Sequence, residues 1–500
     1  MKLIRQYPLF VLLMMIGAVA MLVPAAHAAR QEDWLIARVF FQYSLLISAF
    51  SILIGTAMMS RKIRNVPRAN LITLILAFAL LPVFFALPFA EVLPALSFER
   101  AYFEMLSSFT TTGATLFDDP FRISESLHLW RGLVGWLGGL FMLIAAVAIL
   151  EPQNLGGYEM RETMVAAGQG RSIHVENEVR LLKALGVVGP AYLLFTALLA
   201  LLLIFSGERV FTATIHAMST LATSAISPVS GMDGAQAGLA GEMLIALFLV
   251  LAVSSKLMNL SRFPQVALRL PKDPEFQLML IVVIGAPLFL FARHWLAAIE
   301  VDAGQNIIAG LGAMWGAAFT TLSFLTTTGF ESVQWDAAQN WSGLKAPGIM
   351  LFGLAVMGGG VATTAGGVKL LRIYSLFRHG QREIERLSHP HSIGRSGTST
   401  RRFRRQGAEL AWVFLMLFVM SIGAVALALS FLGIHFESAF ALAVASLTNT
   451  GPIYMALDDP AAHYANLSDA AIAIISAAMV LGRVETLALI ALLNPDYWRQ

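Results

Sequence analysis

The chain has 500 residues, 57% hydrophobic and only 13% charged, with a mean hydropathy of +0.71. A soluble protein of this length carries roughly a quarter charged residues, so the composition excludes a water-soluble domain and predicts a polytopic membrane protein. The net charge of +3 is small and matters only through its placement, and the absence of cysteine excludes disulfides and thiolate metal sites.

The N-terminus fits two descriptions. Lys2 and Arg5, an apolar run and Ala26-His27-Ala28 have the outline of a cleavable signal peptide. The apolar run from Pro8 to Ala26 is about 19 residues, long for a signal core and long enough to cross a bilayer, which favours a retained first helix. Further apolar runs predict spanning helices, giving the series 8–27, 36–59, 70–92, 130–150, 181–205, 240–260, 276–298, 347–376, 409–432 and 470–492. Ten spans place both termini on one side of the membrane.

Lys and Arg set the orientation. With the N-terminus cytoplasmic, the cytoplasmic loops are 60–69, 151–180, 261–275 and 377–408. Loop 60–69 holds Arg61, Lys62, Arg64 and Arg68, and ten basic residues lie between Lys369 and Arg405. The outer connections are poorer in basic residues and richer in acids: Asp118 and Asp119, then Asp233, Glu331, Asp336, Asp458 and Asp459. The stretch 377–408, with Gly and Ser between Gly394 and Ser399, is expected to be a flexible basic loop, serving either to enforce orientation or to dock a cytosolic partner.

A hydroxyl-rich segment recurs in the outer connections roughly every hundred residues. Its copies are Thr110-Thr111-Thr112-Gly113, Thr223-Ser224-Ala225, Thr326-Thr327-Thr328-Gly329 and Thr448-Asn449-Thr450-Gly451. Each follows a half-length apolar stretch, at 98–109, 210–221, 309–325 and 436–447, mostly too short to span and suited to re-entrant segments. The repeating unit is helix, half-helix, filter segment, helix. Unpaired carbonyls are tolerated at membrane depth only where they line a filled cavity. A carbonyl ladder can replace the hydration shell of K⁺, and glycine permits the backbone angles that turn carbonyls toward an axis. For one segment, packing of small residues explains the pattern equally well. Four copies in the same topological place predict a selectivity filter.

Two further features point to gating. The run 358–367 holds Gly358, Gly359, Gly360, Gly366 and Gly367 around Thr363 and Thr364, enough to break the span 347–376. Broken helices at membrane depth mark transport sites; a packing notch is the alternative. Lys369 follows, but without Gly-Lys-Ser/Thr there is no phosphate loop. Arg483 lies in the last span with Glu485 nearby, and a charge inside a span points to function; snorkelling to the interface is the alternative.

These stretches resemble the Trk/Ktr/HKT superfamily of potassium transporters, specifically the membrane subunit of bacterial Trk-type uptake systems. The resemblance rests on SSFTTTGAT (107–115), WRGLVGWLGGL (130–140), SFLTTTGF (323–330), MGGGVATTAGGVKLLRI (357–373) and LGRVE (481–485), and covers nearly the whole chain. It implies four pseudo-symmetric pore repeats in one chain, K⁺ as the transported ion with no covalent cofactor, a homodimer among membrane lipid, and a cytosolic nucleotide-binding regulatory subunit. It also implies an intramembrane gating loop at 358–367 and a pore arginine at Arg483, with Glu485 able to compensate it. Ala225 departs from the family's glycine and puts strict K⁺ over Na⁺ selectivity in question.

The expected organisation is a two-helix extension (1–69), pore repeats at 70–155, 175–265, 276–380 and 409–500, and the basic loop at 381–408. The expected class is all-α, with about ten transmembrane helices and four re-entrant half-helices. Function is expected to be K⁺ uptake across the bacterial inner membrane. The rivals are the pore-like subunit of an ATP-driven potassium pump and a Na⁺-permeable relative. A membrane enzyme lacks a nucleophile motif or an intramembrane His/Asp/Glu cluster, and nothing points to nucleic acid. Channel-like flow and H⁺- or Na⁺-coupled symport remain open at this level.

Overall fold

The structure is a computed structural model describing residues 7–58, 66–151, 177–260, 263–298, 307–343, 347–388, 398–457, 459 and 462–484. Every regular element among the described residues is helical. That follows from the solvent, because in hydrocarbon a helix satisfies its own backbone groups. Among the described residues, seven helices are long and apolar enough to cross a membrane: Leu9–Arg30, Trp34–Met58, Arg68–Val92, Glu125–Leu150, Arg180–Phe205, Pro274–Ala292 and Gly407–Phe431. The shorter apolar helices include Val210–Ala222, Pro347–Met357 and Phe436–Thr448.

Two expected spans take other forms. The span expected at 240–260 is an α-helix only over Gly238–Leu249 and then runs as tight turns at Val250–Ala252 and Ser255–Met258. The reason lies in its neighbour: Ala252 carbonyl accepts the Gly360 N–H at 3.1 Å, so this backbone serves another segment. The span 347–376 is broken after Met357, as its glycines require, and resumes at Leu370. The last span is helical over Asp469–Val484, beyond which the residues are outside those described. The expected flexible loop is also corrected in part. Leu370–Ser388 and Thr398–Phe431 are helices, so only 389–397 of that stretch lies outside the described residues.

The N-terminal helices Leu9–Ala20 and Leu22–Arg30 both pack on Trp34–Met58; the first also packs on Val66–Val92 and the second on Glu125–Ala145. Met14 and Ala18 are fully buried there, and a Cβ on Gly17 would stand 2.3 Å from the Phe85 ring. Small residues at such crossings let membrane helices approach closely. Phe85 in turn packs edge-on to Phe109 and Trp130, whose indole N–H donates to the Phe85 carbonyl at 3.1 Å. The extension is therefore fused to the helices Phe98–Phe109 and Glu125–Ala145 through an aromatic core.

The four half-helices are Phe98–Phe109, Val210–Ala222, Ile307–Leu325 and Phe436–Thr448. The helix after each of the first and last presses a glycine against its C-terminal turn. A Cβ on Gly138 would stand 1.9 Å from Phe109 O, and one on Gly482 would stand 2.2 Å from Leu447 O. The glycines of the LVGWLGGL and LGRVE stretches thus set the depth to which the half-helices seat.

Candidate functional site

All four half-helices end in the same way. The N–H of Thr112, Ser224, Thr328 and Thr450 reaches back five residues, to the carbonyls of Ser107, Ser219, Ser323 and Ala445, at 2.8, 3.0, 2.8 and 2.9 Å. The residue before each donor is left-handed: Thr111 (φ 56°), Thr223 (54°), Thr327 (55°) and Asn449 (55°). This is a Schellman closure, in which glycine is usual. A β-branched residue in that conformation is an outlier, costing on the order of 1–3 kcal/mol at each of the three threonines, whereas Asn449 tolerates it. The surroundings hold it. Thr110, Thr326 and Thr448 donate their hydroxyls to the helix carbonyls of Leu106, Leu322 and Val444, and lie within 2.8–3.0 Å of the hydroxyls of Thr112, Thr328 and Thr450. The second copy has Ala222 in that place and substitutes a Ser219–Ser224 hydroxyl pair at 3.2 Å.

The closing residues divide. Gly113 (φ 75°), Ala225 (49°) and Gly329 (94°) are left-handed, and Gly451 is not. Gly451 is required by space instead: its Cβ would stand 2.2 Å from Ala114 N. Ala225 carries a Cβ in a conformation that L-residues resist.

The four segments meet in a ring. A Cβ on Gly113 would stand 1.8 Å from Ser224 O, which places the first segment on the second. Asn449 Nδ2 donates to Thr112 Oγ1 at 3.0 Å and Gly451 N–H donates to Thr112 O at 2.6 Å, joining the fourth to the first. The missing Gly329 Cβ faces Pro452 at 3.0 Å, and His216 lies edge-on to Phe330 with centroids 5.6 Å apart. Thr110, Thr111, Thr112, Thr223, Ser224, Thr327, Thr328, Asn449 and Thr450 are all buried in this ring. Four helix C-termini converge on it, each with a partial negative charge of about half an electron. Among the described residues, the buried Thr111 Oγ1 and Asn449 Oδ1 have no hydrogen-bond partner. Converging negative dipoles and unpartnered oxygens suit a desolvated cation and disfavour an anion.

The glycine-rich run lies against the inner side of this ring. Gly366 N–H donates to Thr327 Oγ1 at 2.7 Å, and Thr364 Oγ1 donates to Leu221 O at 3.2 Å. A Cβ on Gly366 would stand 2.1 Å from Thr448 O. One loop thereby touches the second, third and fourth half-helix ends. Its other side is held by Val361 N–H on Glu275 Oε1 at 2.7 Å and by a Gly360 that a Cβ would drive to 1.8 Å from Val253 O. Gly358 and Gly367 are both left-handed, and Gly359 sits against Ala365. Thr363 Oγ1 closes back on Gly360 O at 2.7 Å. Lys369, at φ 83°, folds its ammonium onto Ala365 O. Arg483 donates from Nη1 to Thr364 O at 2.6 Å, while its Nε and Nη2 have no hydrogen-bond partner among the described residues. Two buried cations thus bracket the loop beneath the ring. Glu485, expected as able to compensate Arg483, lies outside the described residues.

On the outer side Glu331 stands two residues past Gly329. Burial pushes its carboxyl up to about 7, and the charges of Asp336 and Asp233 add to the effect. As external pH falls through that value the carboxylate is neutralised and its attraction for cations is lost. If the ring passes cations from this side, flux at cation levels below saturation should fall between pH 8 and 6 on that side, and Glu331→Gln should be low and flat over the same interval. A Glu331→Gln variant that kept the parent's slope would remove the residue from this role.

Sequence reasoning passed over Glu104, Arg131, His216, Glu242 and Thr320, which hold the outer ends of the segments in place. Glu104 and Arg131 could have been found, since each is a charge inside an apolar stretch. His216 and Thr320 gave no such signal, because one polar residue on a helix face is unremarkable.

A bundle of membrane-length helices with four half-helix ends closing on a buried ring of hydroxyls and carbonyls defines a membrane transport protein, not an enzyme. The chain belongs to the TrkH family of cation transport proteins, whose family model matches residues 245–498. It is 30% identical over 417 residues to the Trk system potassium uptake protein TrkH of Salmonella typhimurium, covering 83% of each chain, and 28% identical to the TrkH of Escherichia coli K12 over the same length. The crystal structure of the potassium transporter TrkH from Vibrio parahaemolyticus superposes with a TM-score of 0.80 at 25% identity, over 99% of this chain and 100% of that one.

Proposed function

We propose that this protein takes up K⁺ across the bacterial inner membrane as the membrane subunit of a Trk-type system. The observation that carries the reading is the ring of four Schellman-closed segments with the helix C-termini aimed at it. In this reading Thr110–Gly113, Thr223–Ala225, Thr327–Gly329 and Asn449–Gly451 form the selectivity filter, and K⁺ is the substrate that exchanges its water for their oxygens. The loop 358–367 with Lys369 and Arg483 is the gate on the cytoplasmic side. Relatives named as Trk potassium uptake proteins support the choice of ion. The basic cytoplasmic segments support a topology with both termini inside, and offer a surface for a cytosolic nucleotide-binding regulator. Assembly as a homodimer follows from the family resemblance.

The test is flux in vesicles reconstituted with the purified protein. K⁺ entry should exceed Na⁺ entry at equal gradients. An imposed pH gradient that drives K⁺ uphill identifies H⁺ coupling; dissipative K⁺ flow alone identifies a channel. Equal K⁺ and Na⁺ flux would replace this reading with a Na⁺-permeable transporter, and ATP-dependent transport without a membrane potential would replace it with a pump subunit.

A further inference from the structure

The residue nine positions before the end of each filter segment is Glu104, His216, Thr320 and Leu442 in turn. In three repeats this side chain crosses behind the segment and grips the chain just beyond it. Glu104 Oε1 accepts the Leu116 N–H and, at 3.0 Å, the Thr115 hydroxyl. Thr320 Oγ1 accepts the Ser332 N–H at 3.2 Å. Leu116 and Ser332 are the same position, three residues past the closing glycine. In the second repeat that position is Pro228, which has no N–H to give. His216 accordingly meets the hydroxyl of Ser227 instead, at 2.8 Å. The fourth repeat has an apolar Leu442, and its filter glycine is held from outside by Tyr464, whose hydroxyl donates to Gly451 O at 3.1 Å.

The grip differs in strength. Glu104 is fully buried and paired with Arg131 of the following helix, Nε to Oε2 at 3.0 Å, with Arg131 itself only 4% exposed. The carboxylate faces the Arg131 charge with one oxygen, as an ion pair without hydrogen-bond geometry, and takes two donors on the other; hydrogen bonds to a charged group are about twice as strong as neutral ones. In the third repeat Glu242 adds a second hold, accepting Ser332 Oγ, Val333 N–H and Trp315 Nε1 at 2.7–2.8 Å.

We propose that this position is a post that sets the width of the filter from behind, and that the Glu104–Arg131 pair is the positioning element on which discrimination between K⁺ and a smaller cation most depends. The proposal rests on the filter reading above. The post touches no permeating ion. It acts by holding Thr115 and Leu116, and so the Gly113 end of the segment, against inward collapse. A filter that cannot shrink cannot follow a smaller ion.

The experiment measures the K⁺/Na⁺ flux ratio in vesicles for Glu104→Gln, Arg131→Gln and the double variant, with Thr115→Val as a milder change that leaves the ion pair whole and Gly113→Ser as a reference. Glu104→Gln should lower the ratio about tenfold, the factor associated with one hydrogen bond to a charged group. The double variant should fall no further than the worse single one, since the two residues act as a unit. Thr115→Val should lower the ratio in the same direction by less, and it decides the matter alone if the Glu104 and Arg131 variants do not fold. A purely structural pair would reduce yield and thermal stability with the ratio unchanged. That result, together with a ratio lost in Gly113→Ser, overturns the post and leaves the filter standing. A ratio unchanged in Gly113→Ser and Gly329→Ser as well overturns both.

Discussion

Gly113→Ser is expected to abolish most of the preference for K⁺ over Na⁺. Two separate obstacles meet at this residue. Its φ of 75° is strained for any residue with a Cβ, and that Cβ would stand 1.8 Å from the carbonyl oxygen of Ser224 in the adjoining segment. Atoms cannot share that space, so either Gly113 leaves its conformation or the second segment is pushed away. Both change the spacing of the oxygens that face the ion. Gly329→Ser meets strain at φ 94° but a softer neighbour, the Pro452 ring at 3.0 Å, and should lose less. Ala225→Gly is the complementary change. Ala225 already sits at φ 49°, where removing the Cβ relieves about 1 kcal/mol of backbone strain, and discrimination should hold or sharpen. The measurement is the K⁺/Na⁺ flux ratio in vesicles. Parental ratios in both serine variants would end the filter assignment. Loss of transport in Ala225→Gly would show that the second segment depends on its methyl group.

Arg483→Ala is expected to raise basal K⁺ flux by roughly tens- to a thousandfold, without any cytosolic regulator. The residue is buried beneath the ring, and its Nη1 holds Thr364 O at 2.6 Å. In the proposed reading it opposes permeation in two ways. Its charge repels each ion leaving the filter, by on the order of a few kcal/mol at an effective dielectric near 20. Its hydrogen bond also fastens the loop whose Gly366 and Thr364 are bonded to the half-helix ends. The substitution removes both while leaving the loop's own ties to Glu275 and Ala252 in place. Arg483→Lys separates them: it keeps the charge, loses the guanidinium geometry, and should remain close to the parent if repulsion dominates. Deleting 361–364 should also raise flux, but it removes the Val361 N–H bond to Glu275 as well, which makes it the coarser test. Should Arg483→Ala fold normally and conduct no better than the parent, the arginine is a structural tie and the barrier lies elsewhere.

Local pattern was enough for the larger part of this protein. The membrane class follows from composition, and the half-helices at Phe98–Phe109, Val210–Ala222, Ile307–Leu325 and Phe436–Thr448 match the expected stretches within two residues at each end. The break after Met357 also follows from sequence, because length, hydropathy and glycine content are properties of a single segment. What tertiary structure decided concerns pairs of residues far apart in the chain. Gly451 looked like Gly113 and Gly329, yet its glycine is demanded by Ala114, and Asn449 meets Thr112 across 337 residues of sequence. The turns at 250–258 replace an expected continuous helix because the intramembrane loop takes the carbonyl of Ala252. Arg483 was legible as a charge in a span, but not its carbonyl partner 119 residues away. Glu104 and Arg131 were each visible as misplaced charges, and only the packing of the half-helix on the helix that follows it makes them one buried pair. A periodic pattern records which face of a helix avoids water. It does not record which neighbour that face meets, and in a ring of four similar segments the neighbour determines what each residue does.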